Sequence, residues 1–118
     1  TQGVVYRDAR DAVIDANPAA LKMLGCARKE LLSPDPSRPG WILTGEDGLP
    51  LRPADHPSKV ALRTGRPVRG VRVRVIQSRS GNVRRLIVDA VPEFRGGGKT
   101  PFRVLVILQD VTERKRLE

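Results

Sequence analysis

The last third of the chain alternates apolar and polar residues with the period of a β-strand. Val71, Val73 and Val75 alternate with arginines, which predicts a strand with one buried and one solvated face. Two further strands are predicted at 83–94 and 102–109, joined by a glycine-rich hairpin loop. Residues 102–109 are apolar on both faces. We therefore expect that strand in the middle of the sheet, or covered on its outer face by another element or chain.

The first part of the chain predicts two short strands and a helix. The strands are expected at 3–8 and 12–16, separated by a tight polar turn. Asn17 can cap the free amides of a helix that begins at Pro18, where a missing N–H costs nothing, and Gly25 can take the left-handed conformation that ends it.

The middle of the chain predicts short helices separated by loops. A helix at 28–32 is followed by the proline-rich segment 33–40, which is expected to be a loop closed by Trp41. The stretch 51–55 is expected to be extended. A third helix is then capped by Asp55 or His56, has Pro57 in its first turn and ends at Gly65.

Several classes of protein are excluded by composition. At 118 residues the chain predicts one domain, and one cysteine with one histidine allows neither a disulfide within the chain nor a Cys/His zinc site. No apolar run reaches the length of a membrane span, and no signal peptide opens the chain. We therefore expect a soluble, cytoplasmic domain cut from a longer polypeptide.

The net charge of +9 raises the question of nucleic acid binding. The basic residues are scattered along the whole chain, however, and do not form a run or a helical stripe. Only four aromatic residues are present, which argues against stacking of bases. We therefore predict weak, nonspecific association with nucleic acid and no specific complex.

The predicted order is two strands, short helices, three strands and a charged end. Four blocks occur in that order: Gly3-Val4-Val5-Tyr6-Arg7-Asp8, Ile14-Asp15-Ala16-Asn17-Pro18-Ala19-Ala20, Gly25 with Glu30-Leu31-Leu32, and Asp110-Val111-Thr112-Glu113-Arg114-Lys115. Together they resemble the PAS domain of bacterial signal-transduction proteins. The resemblance implies an α+β fold, a five-stranded antiparallel sheet with short helices on one face. It covers residues 1–110, with 111–118 starting a signalling helix or linker. The helix that often precedes the first strand has no counterpart here.

The resemblance implies a sensory module that binds a small molecule between helices and sheet. Apolar residues available to line such a cavity are Leu24, Trp41, Leu62, Val73, Leu86, Val88 and Val106. The alternative is a domain with a filled core that serves only in dimerisation or docking. No catalytic residue can be assigned, because the one histidine has no nucleophile or acid–base partner in a recognisable motif.

Neither haem nor covalent flavin is favoured as a cofactor. His56 stands immediately before Pro57, where a cap or a solvent-facing position suits it better than haem ligation. Cys26 lies outside any flavin-photosensor motif and is expected to be a small packing residue. Arg72 and Arg74 are expected on a solvated face, although an arginine turned inward could clamp a carboxylate ligand.

The end of the chain predicts the output. Asp110, Thr112 and Glu113 fit a capping box that begins a helix near Val111. By resemblance, that helix leads to an effector such as a histidine kinase, a nucleotide cyclase or another sensor domain. Leu105 and Ile107 form an apolar face on the last strand and predict a homodimer contact.

Overall fold

Six antiparallel strands form one sheet. In the computed structural model, which describes residues 2–112, the strands are β1 (Gln2–Asp8), β2 (Val13–Ala16), β3 (Trp41–Thr44), β4 (Val68–Gln77), β5 (Val83–Glu93) and β6 (Arg103–Asp110). Their order across the sheet is β2-β1-β6-β5-β4-β3. The strand that is apolar on both faces, β6, lies between β1 and β5, as predicted.

Three short helices and a 3₁₀ turn accompany the sheet. The helices are α1 (Pro18–Leu24), α2 (Arg28–Leu32) and α3 (Pro57–Thr64), and the 3₁₀ turn is Pro53–Asp55. Helix α1 packs on β1, and α3 packs on β4, β5 and β6. The predicted α+β class is confirmed. No helix among residues 2–112 has the length and apolar character to cross a membrane.

Two local predictions differ from the structure. Residues 41–44 were expected only to close a loop, but they pair with 74–77 of β4 and add a sixth strand at the edge of the sheet. The segment 51–55 was expected to be extended. Instead Pro53 begins a 3₁₀ turn, because its fixed φ suits a first helical position and the Asp55 N–H reaches the Arg52 carbonyl at 2.8 Å.

Asn17 joins the first helix to the first strand. Its Oδ1 accepts hydrogen bonds from the amides of Ala20 and Val4, both at 2.9 Å. Its Nδ2 donates to the Gln2 carbonyl at 3.0 Å, and its own amide donates to the Val4 carbonyl at 2.9 Å. The predicted helix cap is confirmed, and the same side chain also fixes how α1 leaves the sheet.

Gln77 holds the other end of α1. Its buried side chain donates hydrogen bonds from Nε2 to the carbonyls of Lys22 and Met23, at 3.1 and 3.0 Å. These two carbonyls lie in the last turn of α1 and have no partner within the helix. Gly25 ends the helix at φ +73°, as predicted, and a Cβ there would lie 2.6 Å from the Gln77 side chain. The position therefore requires glycine for its φ and for the close approach of β4.

The core fills the space between the helices and the inner face of the sheet. Alternate residues of the central strands point into it, and the strands' other residues are only partly buried on the outer face. The buried apolar residues of the four long strands include Val5, Val73, Val75, Leu86, Val88, Ala90, Val104, Val106 and Leu108.

We predict that Asn17→Ala lowers the free energy of unfolding by roughly 2 to 3 kcal/mol, because it removes a helix cap and leaves the Val4 amide without an acceptor. Asn17→Asp keeps both accepted hydrogen bonds and is expected to cost less than about 1 kcal/mol. Urea unfolding of both variants measures the difference. Equal stability of the two variants would contradict the role of the Asn17 oxygen.

Candidate functional site

A cleft of about 540 Å³ opens at the end of the sheet where β1 turns into β2. Its walls are the β1–β2 turn, helix α2, the proline-rich segment 33–40 and the first residue of β3. We call it the outer cleft. The loop predicted from its prolines therefore forms one wall of the outer cleft.

A smaller cavity of about 50 Å³ lies behind the outer cleft, between the sheet and α3. We call it the inner cavity. Most of its lining is apolar and comes from the inner face of the sheet, with Pro57 and Ser58 from the start of α3. Arg7, Trp41 and His56 line both spaces and form the neck between them.

Seven residues are predicted from the sequence to line a ligand cavity. Five of them line the inner cavity: Leu24, Trp41, Leu86, Val88 and Val106. The other two do not. Val73 is buried nearer a small depression between β4 and β5, and Leu62 packs against the core from the part of α3 beyond the cavity. The binding of a ligand by these residues stays a prediction.

Arg7 is the inward-facing arginine. It shares the inner face of β1 with Val5, two residues earlier, and only 18% of its side chain is exposed. Burial lowers the pKa of Arg7, and the charge of Asp11 opposes that effect. Arg72 and Arg74 lie on the opposite face of β4 from the buried valines. Alternation along β1 is the sequence signal that could have placed Arg7 inward.

Asp11 stands beside Arg7 in the turn between β1 and β2. Arg7 Nη1 donates to the Asp11 carbonyl oxygen at 2.8 Å and lies 3.7 Å from its Oδ1. That carboxylate oxygen is buried and accepts no hydrogen bond. Asp11 also has φ +66°, a left-handed conformation that Asp tolerates better than most residues. Apart from the polar turn, no pattern in the sequence indicates this pairing.

His56 faces the neck and does not cap α3. It occupies the predicted position before Pro57, but its side chain makes no cap hydrogen bond. Burial lowers its pKa first and the nearby charge of Arg7 lowers it further, against smaller opposing effects of Asp11, the Leu51 backbone and Asp55. The imidazole is therefore neutral at pH 7. The predicted position is confirmed, since His56 is the N-cap residue of α3, but its side chain lines the two cavities instead of capping the helix or facing solvent.

Cys26 lines the outer cleft and is partly buried, as expected for a packing residue. Burial raises the pKa of its thiol, with a further contribution from Glu30, so the thiol is protonated at neutral pH. Within residues 2–112, no group of three or more His, Cys, Asp or Glu side chains is placed to hold a metal ion.

A hydrogen-bond network joins the end of β6 to the start of β5. Asp110 pairs with Arg84 at 3.0 Å and accepts from the Thr112 amide at 2.9 Å. The Thr112 hydroxyl accepts from the Arg85 amide at 2.8 Å, and the Val111 amide donates to the Arg85 carbonyl at 2.9 Å. Burial raises the pKa of Asp110, but the bonds from Thr112 and Arg84 outweigh it and lower the pKa overall.

The predicted capping box extends beyond this network. Asp110 and Thr112 are brought together, while Glu113 and the rest of the predicted output helix lie outside the described residues. The predicted dimer face, Leu105 and Ile107, lies on the outer face of β6, partly exposed. Its neighbours across β1 are Tyr6 and Val4.

Comparison with known proteins identifies the architecture. No family model matches the chain, and no curated protein sequence matches it. Among solved structures, the PAS domain of a protein from Colwellia psychrerythraea is 18% identical, with a TM-score of 0.66 over 96% of this chain and 88% of that one.

Two sensor proteins give similar matches. A domain of a sensory box sensor histidine kinase/response regulator from Geobacter sulfurreducens is 23% identical, with a TM-score of 0.64 over 92% of this chain and 82% of that one. The PAS domain of nitrogen regulation protein NR(II) from Vibrio parahaemolyticus is 19% identical, with a TM-score of 0.61 over 92% and 88%.

An antiparallel sheet with short helices enclosing a cavity on one face defines an α+β domain. The matches make this more particular: the chain has the PAS fold. The resemblance read from the sequence is confirmed, with the edge strand β3 as the sixth strand.

We predict that stability falls as the pH is lowered from about 8 to about 5, because the unfolded chain takes up a proton on His56 near its ordinary pKa of 6.5 while the folded chain resists it. The loss of stability begins as the pH falls through 6.5 and is complete near the lowered pKa that His56 has in the folded chain. Urea unfolding at several pH values measures it. His56→Gln should remove the dependence in this window. NMR titration of this single imidazole should give a midpoint below 6.5, and a higher midpoint would contradict the prediction.

Proposed function

We propose that this chain is a sensory domain that binds a small molecule in the outer cleft and inner cavity and passes the change to a downstream effector domain. The observation that carries the proposal is the joined pair of cavities, with an apolar interior and a few polar groups at the neck. Small-molecule sites have this composition in general. The PAS fold is shared with domains of sensor proteins, including a sensor histidine kinase.

Strand β5 connects the cavity to the end of the domain. Leu86 and Val88 line the inner cavity, and the preceding residues Arg84 and Arg85 hold Asp110 and Thr112. A ligand that displaces Leu86 therefore acts one residue away from the network that fixes the end of β6. Such a displacement would reorient the segment that follows Thr112. No catalytic step is required of this domain.

The effector belongs to one of three types by resemblance: a histidine kinase, a nucleotide cyclase or another sensor domain. In this proposal residues 1–110 are the sensory domain, and 111–118 begin the connection to the effector. In this proposal the domain is cytoplasmic and binds no specific nucleic acid.

A ligand-free dimerisation module is the second candidate. The observation that favours it is the outer face, where Leu105 and Ile107 are flanked by Tyr6, Val4 and Val91, with Asp89 beside Ile107 at the margin. A second copy would present the same apolar strip, so a two-fold pairing would bury both strips at once. The two candidate functions differ in what they require of the inner cavity. A sensory domain binds a ligand there, whereas a dimerisation module has no use for it.

We predict that a small molecule is released when the purified domain is denatured and its extract is examined by mass spectrometry. Val88→Phe should abolish the release of this molecule, because the larger side chain fills the inner cavity. The substitution is expected to lower the free energy of unfolding by about 1 to 3 kcal/mol. Ile87→Phe, one residue away on the outer face, is the matched control and should retain the molecule. Equal retention in both variants would contradict binding in the inner cavity. If no molecule is released from the parent protein, the dimerisation module is favoured.

We predict that Asp110→Ala in the parent protein leaves the domain folded, at a cost of about 1 kcal/mol for the lost cap, but uncouples effector activity from the signal. Asp110→Asn keeps an oxygen for the Thr112 amide and loses the charge that pairs with Arg84, so it should retain partial regulation. Effector activity with and without signal is the measurement. Normal regulation in Asp110→Ala would remove this network from the mechanism.

A further inference from the structure

Arg7 at the neck and Asp11 beside it in the outer cleft form an ion pair without a hydrogen bond between their side chains. The 3.7 Å from Arg7 Nη1 to Asp11 Oδ1 exceeds hydrogen-bond distance, and among residues 2–112 the acceptor for Nη1 is the Asp11 carbonyl. Asp11 Oδ1 is buried without a donor. A buried carboxylate oxygen that lacks a donor is costly to the folded protein, so the pair is poised for a ligand whose cation supplies that donor while its anion meets Arg7.

The turn between β1 and β2 keeps Asp11 in place. Asp8 Oδ1 accepts hydrogen bonds from the amides of Arg10 and Ala12, at 2.9 and 3.0 Å. The Asp8 amide donates to the Ala12 carbonyl, and the Asp11 amide donates to the Asp8 carbonyl. The two charges therefore belong to a preformed frame. A ligand would not have to order this turn when it binds.

The charge of the outer cleft selects against anions. The chain carries +9 overall, yet two arginines (Arg7 and Arg38) line the cleft against three carboxylates (Asp11, Glu30 and Asp35). Glu30 is paired with Arg79 and His56 is neutral, so the charges around the cleft are close to balanced. A ligand of large negative charge finds no positive field here. A ligand with one charge of each sign, set close together, matches the neck.

The inner cavity limits the size of the apolar part. Its volume of about 50 Å³ is well below the roughly 150 Å³ of an engineered cavity that accepts benzene. It therefore suits a few aliphatic carbons and excludes a ring. Leu24, Val88 and Leu43 line it, so the group that enters must be apolar.

We propose that the ligand is a free α-amino acid with a short aliphatic side chain, its carboxylate on Arg7, its ammonium on Asp11 and its side chain directed past Trp41 into the inner cavity. This inference rests on the proposed function, because it names the ligand class of the same site. The α-carboxylate and α-ammonium stand on one carbon, which matches the close spacing of Arg7 and Asp11.

Fluorescence of Trp41, the only tryptophan of the chain, reports binding in the unmodified protein. The purified chain, stripped of any bound molecule, is titrated with L-valine and L-leucine. The matched probes are L-leucinamide, which lacks the carboxylate, 4-methylpentanoate, which lacks the ammonium, and L-phenylalanine, which carries a ring. We expect L-valine or L-leucine to bind, and each of the other three to bind at least about 10-fold more weakly.

Two variants test the charges separately. Arg7→Gln should weaken L-leucine binding roughly 10- to 100-fold, as expected for loss of a charge-assisted contact. Asp11→Asn tolerates the left-handed φ and should weaken L-leucine while leaving 4-methylpentanoate unaffected or improved. Arg72→Gln, on the outer face, is the control and should bind as the parent does.

The outcomes separate this inference from the proposed function. Binding of 4-methylpentanoate as tight as that of L-leucine would overturn the role of Asp11 and the zwitterion. Release of a different molecule from the parent protein, with no response to amino acids, would overturn the inference and leave the sensory function standing. Absence of both would overturn both.

Discussion

The side chain of Asn17 determines how the helices meet the sheet. Its oxygen accepts hydrogen bonds from backbone amides of both β1 and α1, and its nitrogen donates to a backbone carbonyl of β1. These bonds set the direction in which α1 leaves the strand. Gln77 then fixes the far end of α1 to β4. With both ends held, Leu24 at the end of the helix is placed against the inner cavity. The cavity is therefore a consequence of polar anchors at its margin as much as of apolar packing.

Much of the fold could be predicted from local patterns. The helix from Pro18 to Gly25 and the three long strands were readable because capping chemistry and two-residue alternation act over short distances. Strand β3 was missed because its four residues follow a proline-rich loop, and its strand character comes from pairing with β4, thirty residues later. Tertiary pairing of this kind leaves no periodicity to detect.

The site was less predictable than the fold. The apolar lining followed from the strands, since Leu86, Val88 and Val106 are the inward positions of predicted alternation. The polar neck did not, because it brings together residues from β1, β3 and the loop before α3. Arg7 could have been placed inward by counting from Val5. Asp11 could not, since its left-handed backbone depends on the Asp8 hydrogen bonds around it.

The two outermost strands, β2 and β3, have only four residues each, whereas the four strands between them have seven to eleven. An edge strand offers unpaired backbone groups to any foreign strand, and a short edge offers few. The two central strands, β5 and β6, are thus paired on both sides, while β3 covers only residues 74–77 of β4. A domain built this way can be repeated many times in one polypeptide, at high local concentration, with little tendency for its sheets to join edge to edge into fibrils.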